Sequence, residues 1–406
     1  MRSYKFFALL IIALSAAACG TSAPVDNGND QPPAGPDWTT YQANTSHTGY
    51  IPVTLNPGVF IERYRVLIKE SAVLNPVAVI DDYVYVSVKA FWGYAKLTAL
   101  RAPTGAVMRE HDFGDIQGVH PAAYNKGKVY VTTSGQQDSY LYAFSCASGV
   151  EAFRSSYGNQ WGLYYAPAIY GDNVYMGGGE YGGVYAFSGA NGQQLWFTNL
   201  NQYDEWTPAV DEQYVYAYTG LDDPKLSVLN RNSGRVEFEI PDPHFSWEGW
   251  SMNEAPVLGS LQNILAVNGG RLISFDLTGR TIGYEIPGGF YGQVSAADGT
   301  IYVMNEDRVE ARNEADGALL WSWLPPSWRA PMIPKGTMIV TDNLLLVSCE
   351  ATIFPGSDYE GITCAVNLQT HQTDWTYGLG GCLALSAKGI LFVATRDGLL
   401  AAVNVK

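Results

Sequence analysis

Charge is scarce in this chain: Asp, Glu, Lys and Arg make up 16% of its 406 residues, against roughly 25% in an average globular protein. Basic residues are the scarcer sign, 24 against 39 acids, for a net charge of −15. Such a surface repels phosphate backbones, so no nucleic-acid partner is expected. Histidine is rarer still, and His47, His111, His120, His244 and His371 stand far apart, which excludes an H-E-x-x-H metal pair. G-x-S-x-G and the P-loop are also missing, removing two familiar hydrolase and nucleotide-binding signatures. "GGGEYGG" (177–183) falls between two expected strands rather than before a helix, so it reads as a hairpin loop, not a phosphate cradle. After residue 18 no apolar run is long enough to cross a bilayer as a helix. The five cysteines include no adjacent pair and no C-x-x-C-H haem motif.

What is present begins at the amino terminus. Arg2 and Lys5 precede "FFALLIIALSAAA", 13 apolar and small residues ending before Cys19. The run is too short to span a bilayer and fits a signal peptide over 1–18. Ala16 and Ala18 alone suit an ordinary export peptidase; Cys19 directly after them resembles a bacterial lipobox, in which that Cys receives the lipid. Lipidation at Cys19 is the expectation, plain secretion the alternative. By the same resemblance, Gly20 rather than Asp favours the outer membrane. Residues 19–37 are polar and rich in Pro, Gly and Asp, a composition that makes a flexible tether. Removal of the signal peptide leaves 22 cations against 39 acids, a net charge of −17.

The rest of the chain repeats itself. "VYVSV" from Val84, "VYVTT" from Val129, "VYMGG" from Val174 and "VYAYT" from Val215 align with "ILAVN" from Ile264, "IYVMN" from Ile301, "LLLVS" from Leu344 and "LFVAT" from Leu391. The steps of 45, 45, 41, 49, 37, 43 and 47 residues, with β-branched and aromatic residues between turn signals, mark propeller blades rather than a helical solenoid. Turn glycines recur at Gly105, Gly149, Gly192, Gly234, Gly279 and Gly317, with His371 in the seventh slot. Four residues later stand Phe153, Trp196, Phe238, Trp321 and Trp375; Arg109 fills the first slot, and Tyr284 is displaced by one. Gly supplies the positive φ these hairpins need, and the aromatic packs the outer strand against a neighbour. The eighth unit stops after its third strand, while "VFIERYRVLI" (59–68) precedes the first unit's own first strand. The expected fold is therefore an all-β, eight-bladed propeller of four-stranded antiparallel blades, with the N-terminal strand completing the last blade. It would occupy 59–406, after a lead-in over 38–58.

These residues resemble the PQQ-like repeat family of propellers, whose motif is roughly A-x-D-x-x-T-G-x-x-x-W. Ala186, Asn191, Gly192 and Trp196 match it, as do Ala143, Ser148, Gly149 and Phe153, and Ala311, Asp316, Gly317 and Trp321. The Asp slot departs repeatedly, holding Ser145, Ser188, Asn230, Asn313, Asn367 and Asn404. "DWTTYQANTSHTGYIP" (37–52) also resembles the lead-in of such proteins, without chemistry of its own. The family includes PQQ-dependent alcohol dehydrogenases and the non-enzymatic outer-membrane assembly lipoproteins of the BamB type. The dehydrogenases carry a vicinal Cys–Cys against the quinone and acids around calcium. Lacking the former, this chain resembles the scaffold more.

Two constellations remain. Cys349 and Cys364 fall on neighbouring strands of blade 7, flanking "EATIFPGSDYEGIT"; they read as a disulfide staple or as two reduced thiols. Cys146 and Cys382 have no evident pairing. The loops from each outer strand to the next inner strand share a face with the loops between second and third strands. Aromatics crowd that face: Trp92, Trp161, Trp206, Trp247, Trp250, Tyr291 and Trp328, beside His120, Glu254 and Arg329. They form a binding face for a stacking ligand, or plug the channel mouth and wedge blades apart. His120 reads as a hydrogen-bonding residue or a channel ligand.

The reading is a non-enzymatic, lipid-anchored binding or scaffold protein of the bacterial outer membrane, on its periplasmic or surface side. It would recognise an envelope protein or a small ligand, without a metal or cofactor, as a monomer within a larger assembly. The alternatives are a PQQ- and calcium-dependent oxidoreductase and a glycan-binding lipoprotein.

Overall fold

The computed structural model describes residues 37–89, 94–135, 139–159, 166–200, 207–247, 254–327, 331–351 and 360–406. Each repeat is one antiparallel blade. In blade 3 the strands Ala168–Tyr170, Asn173–Gly177, Gly183–Ser188 and Gln194–Asn199 pair in chain order. Its second and third strands are buried almost continuously, whereas Gln194–Asn199 alternates exposed and half-buried residues. Sequence pattern follows position: inner strands are covered on both faces by neighbouring blades, and outer strands face water on one side.

Hydrogen bonding groups the described strands into seven sheets rather than eight, because one of them has seven strands. The cause is the 17-residue strand Thr281–Ala297. Its first half pairs with Gly270–Asp276 as the outer strand of blade 5, and its second half pairs with Thr300–Asn305 as the inner strand of blade 6. Two blades share one uninterrupted strand, so the ring still contains eight.

Closure follows the expected route. Ile61–Leu67 lies antiparallel to Leu399–Asn404 and completes the order of the eighth blade. One buried cluster crosses this seam, joining Leu344 and Leu346 of blade 7, Leu391 and Val393 of blade 8, Val84 and Val86 of blade 1, and Trp38, Ile51 and Leu55 of the lead-in. Hydrophobic burial across the seam, at roughly 25 cal/mol per Å2, holds the two ends of the chain together.

A second ring of contacts runs around the rim. The Trp196 indole lies over the next blade's turn, donating from Nε1 to Arg231 O at 3.1 Å. A Cβ at Gly234 would sit 2.6 Å from that ring. Phe153 covers Gly192 in the same way, and Tyr64 of the N-terminal strand covers Gly105. Arg109 replaces the aromatic in blade 1 yet keeps the bonding, donating to Cys146 O at 2.6 Å and Ala147 O at 2.5 Å. In blade 7 the slot holds His371, which keeps a positive φ of 58° and stacks on Trp321 at 4.4 Å. Blade 5 corrects the sequence alignment. Its positive φ belongs to Arg280, not Gly279, which restores the four-residue interval to Tyr284.

The lead-in is the element whose role the sequence left blank. It threads the channel and bonds to every blade. Val79, Tyr124, Val210, Leu258, Ala296 and Val340 donate their backbone N–H groups to the carbonyls of Trp38, Thr39, Thr45, Ser46, Thr48 and Gly49, at 2.7–2.9 Å. Thr40 Oγ1 donates to Pro167 O in blade 3, and the Asp37 carboxylate accepts from Ala387 N in blade 8. The segment turns at Gln42 and Ala43, both at positive φ. Six of these contacts fall near the ends of innermost strands, where they turn into the second strand, so the lead-in closes the channel at that face.

Candidate functional site

The opposite face keeps a funnel. A cavity of about 330 Å3 opens between the connections leading into blades 1, 5, 6, 7 and 8. Tyr41, from the lead-in, is its floor: the hydroxyl donates to Gln293 Oε1 at 3.1 Å, and Gln293 is held by the backbone of Ala255. The walls carry Lys89, Glu254, Tyr291, Lys335, Cys382 and Arg396. Glu350, 7% exposed, accepts from Lys335 Nζ and Arg396 Nε, each at 3.0 Å. Burial pushes the Cys382 thiol up to about 11, against the pull of Arg396, so it is a neutral wall residue rather than a thiolate nucleophile.

Of the residues expected on the binding face, Trp92, Trp161, Trp206, Trp250, Trp328 and Arg329 lie outside the described residues, as does Cys19. Glu254 and Tyr291 do line the funnel. The Tyr291 hydroxyl donates to Pro334 O at 2.7 Å, and burial raises it to about 12. Tyr291 thus braces blade 6 against blade 7 while offering its ring to the cavity. Trp247 is 56% exposed on the connection from blade 4 to blade 5. His120 does not enter the funnel. It is buried, with Nδ1 2.8 Å from Thr132 Oγ1 and Nε2 3.2 Å from Ser134 Oγ, and burial holds it neutral with a pKa near about 3. It is the hydrogen-bonding residue of the two readings.

The Cys349–Cys364 staple is not formed. Cys349 pairs with Ile362 and Cys364 with Val347, which places the cysteines diagonally rather than directly opposite. Both are buried free thiols. Burial and contact with Cys364 hold the Cys349 thiol protonated.

Lys89 and Arg396 went unnoticed in the sequence, although a signal existed. Each stands five residues after its blade's aligned strand start, Val84 or Leu391. The other blades place Ser134, Gly179, Gly220, Gly269, Glu306 and Cys349 there. Two cations in one repeat slot of adjacent blades meet at one cavity beside the closure seam. Among the described residues no three His, Cys, Asp or Glu side chains cluster, and Glu350 is engaged by two cations.

Comparison with known proteins agrees with this architecture. The family model described as "Outer membrane protein assembly factor BamB" matches residues 59–220 and 204–323. Among solved structures, BamB from Moraxella catarrhalis aligns with a TM-score of 0.62 at 14% identity, covering 85% of this chain and 100% of that one. A computationally designed protein, Ika8, gives 0.63 at 13%, covering 85% and 99%. The quinohemoprotein alcohol dehydrogenase from Comamonas testosteroni gives 0.50 at 14%, covering 88% and 70%. At these identities the structural likenesses show the fold alone. A search of curated protein sequences returns no match. The family model spans well over half of the chain, and the chain therefore belongs to the PQQ-like repeat propellers of the BamB outer-membrane assembly factor family.

Proposed function

We propose that the protein is a lipid-anchored, non-catalytic scaffold of the bacterial outer membrane that holds a protein partner on its funnel-side loops. The family match over residues 59–323 carries this reading. The architecture suits it, since loops projecting from a rigid ring can vary without disturbing the blades. The lead-in closes the opposite face with short, internally bonded contacts, which leaves the funnel side as the adaptable surface. Cys19 would supply the anchor, because several acyl chains on one residue bind a membrane stably where a single chain does not.

A photo-crosslinker at Trp247, compared with one at Lys126 on the turn side, tests the face in intact cells. Capture of outer-membrane assembly proteins from position 247 and not from 126 is expected. Equal capture from both faces, or recovery of polysaccharide alone, contradicts the reading. Cys19→Ser should move the protein from the membrane fraction to the soluble envelope fraction; retention in the membrane would exclude the anchor.

A further inference from the structure

We propose that the funnel is a binding site for an organic carboxylate, one negative charge on an apolar body, in addition to the partner surface formed by the loops. Three features of the cavity converge on this ligand class.

The first is backbone. Pairing slips between Tyr291 and Ser295 in blade 6 and between Pro334 and Met338 in blade 7. Gly292 and Gly336 take positive φ values of 74° and 93° within these breaks. Bulges re-aim side chains and end regular pairing; here two adjacent innermost strands bulge at the same cavity, and Lys335 enters it from one of them. Gly336 tolerates no side chain, since a Cβ would lie 2.7 Å from Gly381 O.

The second is charge. In a chain of net charge −15, this cavity gathers Lys89, Lys335 and Arg396. Glu350 fixes Lys335 and Arg396 through charge-assisted hydrogen bonds, so these two cations are positioned before any ligand arrives. Lys89 is exposed and makes no ion pair among the described residues. Lys89, Arg396 and Cys382 line the same cavity, and both cations favour the Cys382 thiolate while burial and Glu350 oppose it. Among the described residues, three cations against Glu254 and Glu350 leave one positive charge. That matches a carboxylate, whereas a phosphate dianion would exceed it and face both glutamates.

The third is the remaining wall. Val73, Leu74, Pro76 and Met304 supply apolar surface beside the cations. Tyr41 closes the floor, so a ligand enters from the loop side with its body against these residues. The carboxylate could belong to a free small molecule or to the C-terminus of a polypeptide, and the two sources share this chemistry.

Titration calorimetry on the intact chain, with hexanoate and its uncharged isostere hexanamide as probes, tests the site. Hexanoate should bind and hexanamide should bind at least about tenfold more weakly. Lys89→Gln and Lys335→Gln should each weaken hexanoate about fivefold, in steps that shrink with added salt. Lys89 is exposed and its substitution leaves the fold intact, which keeps the result interpretable if Lys335→Gln unfolds the wall. A second arm uses a Leu-terminated pentapeptide as free acid and as C-terminal amide. Preference for the acid over hexanoate identifies a chain terminus as the source, and the reverse a small molecule; both support the site. Equal binding of hexanoate and hexanamide, unchanged affinity in the Lys89→Gln variant, or no binding of either acid at millimolar concentration overturns it.

Discussion

Trp196 can lie over the turn of the next blade only because residue 234 has no side chain. A Cβ there would meet the indole at 2.6 Å, and φ is 71°. Gly127 shares the backbone requirement, at 79°, but has open space where its Cβ would be. The two positions separate strain from packing. Gly127→Ala should cost about 1 kcal/mol for the left-handed conformation alone. Gly234→Ala should cost about 2–4 kcal/mol, because overpacking adds to that strain. Denaturant unfolding of both variants measures the difference. Much of this was legible in the sequence, since a turn glycine and an aromatic four residues later recur together. Blade 5 was misaligned because Arg280, a residue that seldom takes positive φ, occupies the slot beside an uninvolved Gly279.

His47 allows a second prediction at this scale. It is fully buried in the lead-in, with Nδ1 3.0 Å from Pro256 O, and burial lowers its pKa from 6.5 to about 4. The folded state therefore binds its proton more weakly than the unfolded state does. Its contribution to stability is complete above pH 6.5 and is lost as pH falls toward 4. His120, lowered to about 3, acts in the same direction over a window that extends lower. The melting temperature should fall between pH 6.5 and 4. His47→Asn should flatten that decline, and an unchanged pH profile would show that His47 does not contribute.

Among the elements, the lead-in makes the strongest demand on the rest of the fold. Six innermost strands donate N–H groups to it, and an unpaired buried donor costs about 1–3 kcal/mol. Trp38, 1% exposed, packs in the cluster that crosses the closure seam. Trp38→Ala should cost about 3–5 kcal/mol, and deletion of residues 37–55 should lower the melting temperature by more than roughly 10 °C. A deletion variant as stable as the full chain would mean that the segment only decorates the channel. No periodicity revealed this role, because the segment meets most blades through one or two bonds, blade 7 alone through more, and forms no strand of its own. The fused strand Thr281–Ala297 escaped for a related reason. Pro287 and Gly288–Gly289 are residues that ordinarily interrupt a strand, yet the pairing of Gly270 with Phe290 carries the sheet across them.

At the scale of the whole molecule, closure determines where the funnel lies. Strand Ile61–Leu67 joins the first and last blades, and the cavity cations Lys89 and Arg396 come from those two blades. The count of eight and the borrowed strand were legible because the last repeat ends one strand short and the first has one to spare. The funnel's chemistry was less so, because it arises from residues brought together only when the ring closes. An open array, or one that borrows the strand from a second copy, would lack this wall. Cysteines at positions 67 and 399 examine closure most directly, since Leu67 pairs with Leu399 near the outer edge of the blade. Under mild oxidation, peptide mass analysis of the double variant should find an intramolecular 67–399 disulfide in the monomer, and none in a 61–399 control from opposite ends of the strand. A 67–399 link found only between two chains, or a control that crosslinks as readily, would contradict the closed ring.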